Sequence, residues 1–438
     1  MTRAARLVRR LGLSVFTLLL ILNPGATLRS MAENPSATLG PCAQSDRIHD
    51  ADASLMQDRD APTHFRLMTS RYVAMIQAAR GYQCAGTTTV GFDGHNYLQT
   101  GRSDDPVIME LVPTLSRLSG ISLADSYDAL VFAVIFSTTL TGALGFWRLY
   151  PTRRALGIGT VVFLCIAIAE ARVADEYLFQ IAPLIAGIPW LLYLALRRKK
   201  IATTVVAASL AFCCSWCSLI RSGSLVICMA FLLVMFVSRY RVQNPVLPIL
   251  LMAFSCVPSF IFEQSLVARR DHALTRANEP ARAVNSHPFW HTLYIGLGFI
   301  PNSEVPEYRD EVARDKVRSI DPTAAYTSAK YQAILRRELW DLLKRRPLLV
   351  IGIFAAKLGI VALLALILLY PARRLIFAEP AVMWLDLAFL CAIGVSAANG
   401  IVAIPRLAYL LTFLCLTALY TTIKLCRSWQ FVRGRGLS

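Results

Sequence analysis

PLLVIGIFAAKLGIVALLALILLYPARR, from Pro347 to Arg374, is an apolar run long enough to cross a bilayer as a helix, closed by two arginines and interrupted by one charge, Lys357. Runs of similar character recur outward from it. Ten segments are expected to span: 11-24, 127-147, 155-169, 178-196, 201-220, 223-238, 245-263, 347-370, 381-399 and 402-423. The expected fold is an all-α polytopic membrane protein with about ten transmembrane helices. Composition agrees, because 55% of the 438 residues are apolar, only 17% are charged, and mean hydropathy is +0.50. Those values exclude disorder, a collagen-like fibre and a small disulfide scaffold, and argue against a soluble enzyme.

The formal net charge of +17 is a topology signal rather than the footprint of a nucleic-acid partner. Cations cluster at Arg3/Arg6/Arg9/Arg10, Arg148/Arg153/Arg154, Arg197 to Lys200, Arg239/Arg241, Arg373/Arg374 and Lys424/Arg427/Arg433/Arg435, with Glu379 the lone carboxylate among them. These fall in alternate connections, so the positive-inside rule predicts that they and both termini are cytoplasmic. The first segment also fits a cleavable signal peptide ending near Pro24, Gly25 and Ala26, but no clean small-x-small site follows, and a signal anchor is the expectation.

This topology divides the chain into a first transmembrane helix (1-24), an acidic outer loop (25-126), helices two to seven (127-263), a second outer loop (264-346), and helices eight to ten with a basic tail (347-438). Chemistry is expected in the outer loops, because the connections on the other side are short. Neither a phosphate-binding loop nor a dinucleotide fingerprint is present. Of the eleven cysteines, Cys42 and Cys84 lie in the first outer loop and form a candidate disulfide, whereas Cys213, Cys214 and Cys217 sit in an apolar span as small hydrophobes.

Three stretches carry chemistry-bearing residues. GFDGHNYLQTGRSDDP, from Gly91, sets Asp93 between two glycines and four residues before Tyr97. It reads as a turn or as a carboxylate held towards a ligand. EARVADEY, Glu170 to Tyr177, is a short outer link in which Asp175 and Glu176 could coordinate a divalent cation or steady positive charge, or equally be solvated link residues with Arg172 as a local partner. NSHPFWHTLYIGLGFIPN, from Asn285, puts His287 and His291 on one face if helical, favouring substrate hydrogen bonding or structure over zinc. A surface helix over 331-343 is expected to lie on the bilayer. Arg221, Lys357 and Arg406 lie in or beside spans and are functional candidates by the cost of intramembrane charge. Lys357, about 15 Å into its helix by axial rise, is expected near the midplane, without a partner in Asp386.

On these residues the chain resembles bacterial polytopic glycosyltransferases of the GT-C superfamily, which use polyprenyl-phosphate sugars. Asp93 in GFDGHNY resembles the DGxxY pattern of several members, and Asp175, Glu176 and Tyr177 match a second acidic motif in place. HPFWHTLYIGLG also looks like a stretch found in such proteins. The resemblance implies an inner-membrane enzyme with a lipid-linked sugar donor and a glycan, lipid or protein acceptor, embedded among membrane lipids. It implies Asp93, Asp175 and Glu176 as catalytic residues and Tyr97, Arg172, Arg221, His287, His291, Lys357 and Arg406 as substrate-binding residues, with magnesium or manganese as an open metal requirement. The stretch between the first span and Asp93 is longer than usual, which keeps Asp46, Asp50 and Asp52 as alternative bases. Two other readings stand beside it: an O-antigen polymerase or ligase, and a non-enzymatic transporter or assembly subunit with Lys357 on a permeation path.

Overall fold

The computed structural model describes residues 90–92, 97–99, 107–173, 176–239, 246–276, 289–324, 326 and 328–435. Two strands, β1 (Val90–Phe92) and β2 (Tyr97–Gln99), pair antiparallel with Phe92 opposite Tyr97. Fourteen helices follow among the described residues: α1 (Ile108–Ser119), α2 (Leu123–Leu149), α3 (Arg153–Val173), α4 (Leu178–Leu196), α5 (Lys200–Ser218), α6 (Ser224–Arg239), α7 (Val246–Ser255), α8 (Val257–Arg276), α9 (Phe289–Gly296), α10 (Asp310–Ile320), α11 (Ala329–Arg345), α12 (Pro347–Leu369), α13 (Met383–Val402) and α14 (Leu407–Arg435).

Eight helical segments among the described residues are long and apolar enough to cross a membrane; α6, with 16 residues, is apolar but shorter. Together they match every expected segment from 127 onward, while 11-24 lies outside the described residues. The seventh segment differs from expectation. It runs as one candidate span from Pro248 to Thr275, broken near Cys256 into α7 and α8, where Pro258 cannot donate a helical hydrogen bond. The helix therefore continues beyond residue 263 through a charged stretch before the second loop begins.

Helices α4, α13 and α14 form the centre, with α2, α3, α5, α6 and α12 packed around them. Helices α2 and α4 approach closely because α2 presents glycines there: a Cβ on Gly142 would lie 2.7 Å from the Ile185 carbonyl oxygen, and one on Gly145 would lie 2.8 Å from the Trp190 ring. Trp190 uses the proximity to donate to the Thr141 carbonyl at 2.9 Å.

Contacts define two ends of the bundle. At the basic face, Arg239 reaches the Ala195 carbonyl and stacks over Trp384. Asp386 there is fully buried and accepts from Phe377 N (2.9 Å), Tyr420 Oη (2.7 Å) and Lys424 Nζ (2.9 Å to Oδ1 and 3.2 Å to Oδ2). Arg427 forks onto Glu379 at 2.8 and 2.6 Å, and this bond holds the Glu379 carboxyl below its usual range. The turn between α12 and α13 is thereby pinned to α14.

At the opposite, loop face, α9, α10 and α11 form a small cap with a core of Tyr294, Val305, Val317, Leu335 and Leu339, continuous with Val350 and Ile353 of α12. Helix α11 covers the helix expected over 331-343, and its Tyr331, Leu335, Leu339 and Leu342 face inward, because α9 and the first turns of α12 supply the apolar partner. The β1–β2 hairpin packs against α8.

Thr421 donates to the Leu368 carbonyl at 2.9 Å and so sets the relative heights of α12 and α14. By helical rise from that level, Leu407 lies about 21 Å towards the loop face and Pro347 about 32 Å. The α13–α14 turn is thus recessed by about 10 Å below the end of α12.

Candidate functional site

Helices α4, α6 and α14, all in the buried part of the bundle, begin at the loop face, and their N-termini converge near the recessed turn. Each start is set by local sequence. Tyr177 precedes α4. Gly223 precedes α6 with φ of 103°, a left-handed conformation that favours glycine, and a Cβ there would press on the Gln180 amide at 3.0 Å. Gln180 bonds the neighbouring Ser222 carbonyl. Pro405 and Arg406 make the turn into α14, where the Arg406 carbonyl accepts the first helical bond from Leu410.

Three tyrosines stack across these starts. The rings of Tyr177 and Tyr409 lie 5.0 Å apart edge to face, and the hydroxyls of Tyr409 and Tyr308 are 2.8 Å apart. Arg221, in the link from α5 to α6, donates to the Tyr177 hydroxyl and lies 4.1 Å from its ring centre. Arg406 stands 5.9 Å from the ring centre of Tyr308 and is exposed. Burial pushes the Tyr308 hydroxyl above its ordinary pKa, the neighbouring Tyr409 and Asp310 push it the same way, and Arg221 opposes them. Tyr308 therefore remains a neutral hydrogen-bonding group.

From Tyr308 the network continues into the cap. Asp310 opens α10 and accepts from His291 Nε2 at 3.2 Å, while His291 Nδ1 lies 2.8 Å from the Tyr331 hydroxyl. An ionised carboxylate can only accept, so a neutral ring carries its proton on Nε2 and accepts from Tyr331 at Nδ1. His291 is buried, with the Tyr326 and Tyr331 rings against it, and burial raises the Tyr331 hydroxyl.

Of the expected site residues, Arg221 and Arg406 meet around the tyrosines, Glu176 is buried beside Tyr177, and His291 joins through Asp310. Arg172 is exposed in the last turn of α3, with no hydrogen bond or ion pair among the described residues. The Lys357 Nζ donates to the carbonyls of Ala403 at 2.6 Å and Ile401 at 3.2 Å, capping α13 at the turn into α14. The side chains of Asp93, Tyr97, Asp175 and His287, and the Cys42 and Cys84 pair, lie outside the described residues; for Tyr97 the backbone alone is described, in β2.

Sequence reasoning missed Tyr308, Asp310, Tyr331 and Tyr409 as partners, since their spacing in the chain carries no periodic signal. It also passed over Glu170, which lies within α3 rather than in the link; both its oxygens are buried without a hydrogen-bond partner. Among the described residues, no group of three or more His, Cys, Asp or Glu could hold a metal ion.

Compared with family models, curated proteins and solved structures, the chain matches none. The class is defined by its fold: a helical, multi-pass membrane protein with Arg221, Arg406 and three tyrosines gathered where helices begin at one end.

Proposed function

We propose that this chain is a membrane glycosyltransferase of GT-C type, moving a sugar from a polyprenyl-phosphate donor to a glycan, lipid or protein acceptor at the loop face. The observation that carries the reading is the pair Arg221 and Arg406, both set around Tyr308 where three helices begin. Two guanidiniums and the positive ends of helix dipoles suit a phosphate that must enter from the membrane. The α13–α14 turn lies about 10 Å below the end of α12, which keeps these groups close to the membrane boundary. Edge-on tyrosines offer hydroxyls and ring faces to a sugar.

The chemistry follows the charges. Asp93, in the segment joining β1 to β2, takes the proton of the acceptor hydroxyl as that oxygen attacks the anomeric carbon. The bond from that carbon to the phosphate oxygen breaks, and the lipid phosphate leaves with the electron pair, held by Arg221 and Arg406. Asp175 and Glu176 stabilise positive character on the sugar. A single displacement inverts the anomeric centre, and no step is routed through a metal. The basic connections and both termini are then cytoplasmic and the recess opens outside the bacterial inner membrane. Lys357, which a permeation path would need free, is occupied with backbone carbonyls.

The test is transfer from a panel of radiolabelled polyprenyl-phosphate sugars by the purified protein in liposomes, comparing wild type with Asp93→Asn and Arg221→Ala at equal amounts of folded protein. Loss of label in both variants is expected. Full transfer by Asp93→Asn would remove the base assignment, and no transfer from any donor by folded wild type would overturn the reading.

A further inference from the structure

Helix α11 has two unlike faces. Tyr331, Leu335, Leu339 and Leu342 are buried in the cap, while Arg336, Arg337, Trp340 and Lys344 lie along the opposite side at helical spacing, all exposed. Trp340, 52% exposed, sits between these cations. Arg345 and Arg346 extend the cationic stripe to the start of α12.

The charges on this stripe are poorly neutralised. Glu338 is taken by Lys316 at 3.0 Å, and Arg346 is held by Glu304 at 3.5 Å and Ser303 at 2.9 Å. Arg337 approaches Asp341 only to 3.8 Å, with 84% of its side chain exposed. Arg336, Lys344 and Arg345 make no ion pair among the described residues. Arg345 spends its Nε on the Asp341 carbonyl, which leaves its charge uncancelled.

Position fixes what this surface meets. Leu339 and Leu342 share a core with Val350 and Ile353, which lie in the first two turns of a membrane-spanning helix. The second half of α11 therefore rides at the boundary where α12 enters the bilayer. Immediately beyond Arg346, Leu348 and Ile351 are exposed by 85% and 58%, as residues facing acyl chains would be. Tryptophan at the interface, cations at headgroup level and bare aliphatic side chains below form a graded sequence that matches one anionic phospholipid from phosphate to tail.

We infer that the outward stripe of α11, Arg336, Trp340 and Lys344, with Arg345 exposed on the flank of its last turn, docks the headgroups of anionic phospholipids in the leaflet at the loop face. The stripe holds the cap against the membrane, which keeps Tyr308 and His291 over the recess. The inference needs only that the chain spans a membrane, so it stands apart from the sugar-transfer reading.

The experiment replaces Trp340 with photo-crosslinking benzoylphenylalanine in the full chain, in nanodiscs of mixed phosphatidylglycerol and phosphatidylcholine. Crosslinked lipid is identified by mass spectrometry. Phosphatidylglycerol is expected at position 340 in excess over its mole fraction, by about fivefold or more given the attraction of each interfacial cation. In the Arg336→Gln, Lys344→Gln, Arg345→Gln background the ratio should fall to the mole fraction, and Arg336→Lys with Arg345→Lys should preserve it. Crosslinking in proportion to mole fraction in the unmodified background overturns the inference. So does crosslinking to a second copy of the chain, or no crosslinked lipid from folded protein.

Discussion

The hydroxyls of Tyr308 and Tyr409 lie 2.8 Å apart although 101 residues separate them, and through this contact the cap is joined to the first turn of α14. A neutral hydrogen bond of this kind contributes about 0.5–1.5 kcal/mol net. Tyr308→Phe and Tyr409→Phe should each lower the thermal unfolding midpoint of the purified protein, and the double variant should lose little more than either single one. Strictly additive losses would show that the hydroxyls do not act as a pair.

Two buried carboxylates should respond in opposite senses. Asp386 is fully paired, so Asp386→Ala strands the Lys424 ammonium, the Tyr420 hydroxyl and the Phe377 N–H, and should cost about 3–5 kcal/mol. Glu170 has no hydrogen-bond partner on either oxygen, so Glu170→Met, which keeps its length and removes its polarity, should leave stability unchanged or raise it by about 1 kcal/mol. Unfolding midpoints of the two variants in the same detergent decide this, and a large loss in Glu170→Met would mean that the carboxyl is engaged after all.

The spans were legible because bilayer thickness imposes a length of apolar helix that few other structures require. The partners of Lys357 were not legible, because Ile401 and Ala403 offer backbone carbonyls that only packing brings to it from a neighbouring helix end. Asp386 was weighed only as a partner for Lys357 and set aside on depth; matching depths from the basic face would have paired it with Lys424, which enters the next span from the same end. The recess itself was half legible. Cost of burial singled out Arg221 and Arg406, but nothing in the spacing of Tyr177, Tyr308 and Tyr409 announces that they converge.

Gly296 ends α9 against the recessed turn, where a Cβ would lie 2.4 Å from the Val402 carbonyl oxygen and 3.0 Å from Lys357 Nζ. Backbone cannot yield as a side-chain tip does, so Gly296→Ala should push the cap outward and cost about 1–3 kcal/mol. Faster hydrogen exchange in peptides covering α9 and the α13–α14 turn, with α2 and α4 unaffected, is the expected signature. Uniform exchange across all four would place the damage elsewhere.

Acid should loosen the turn between α10 and α11. Asp321 is held down to about 2 by bonds from Lys330 and Thr323, against an ordinary 3.8. A depressed carboxylate contributes stability that is complete above its unfolded pKa and lost as pH falls through the folded one, so the window runs from about pH 4 down to about pH 2. Asp321→Asn should shrink the part of the unfolding midpoint that changes across that window; an unchanged pH profile would mean that other carboxylates carry it.

Arg221 offers the sharpest test of the recess, because Arg172 provides an internal control. Both are arginines at the loop-face ends of spans, but among the described residues Arg221 is fixed, by its bond to the Tyr177 hydroxyl and its seat 4.1 Å from the ring centre, whereas Arg172 is exposed and makes no such contact. A guanidinium fixed in this way is pre-organised for a phosphate, and a charge-assisted hydrogen bond is worth about 1.5–3 kcal/mol. If the recess binds the donor phosphate, Arg221→Ala should lower kcat/KM for the polyprenyl-phosphate sugar by about tenfold to a hundredfold. Arg221→Lys should recover only part of this, because an ammonium keeps the charge but not the planar fork that meets both ring and phosphate. Tyr177→Phe, which keeps the ring and removes the hydroxyl, should raise KM more than it lowers kcat, since it loosens the arginine without removing it. Arg172→Ala should change neither. Equal losses in Arg221→Ala and Arg172→Ala would leave a diffuse surface charge, rather than this recess, as the source of anion affinity.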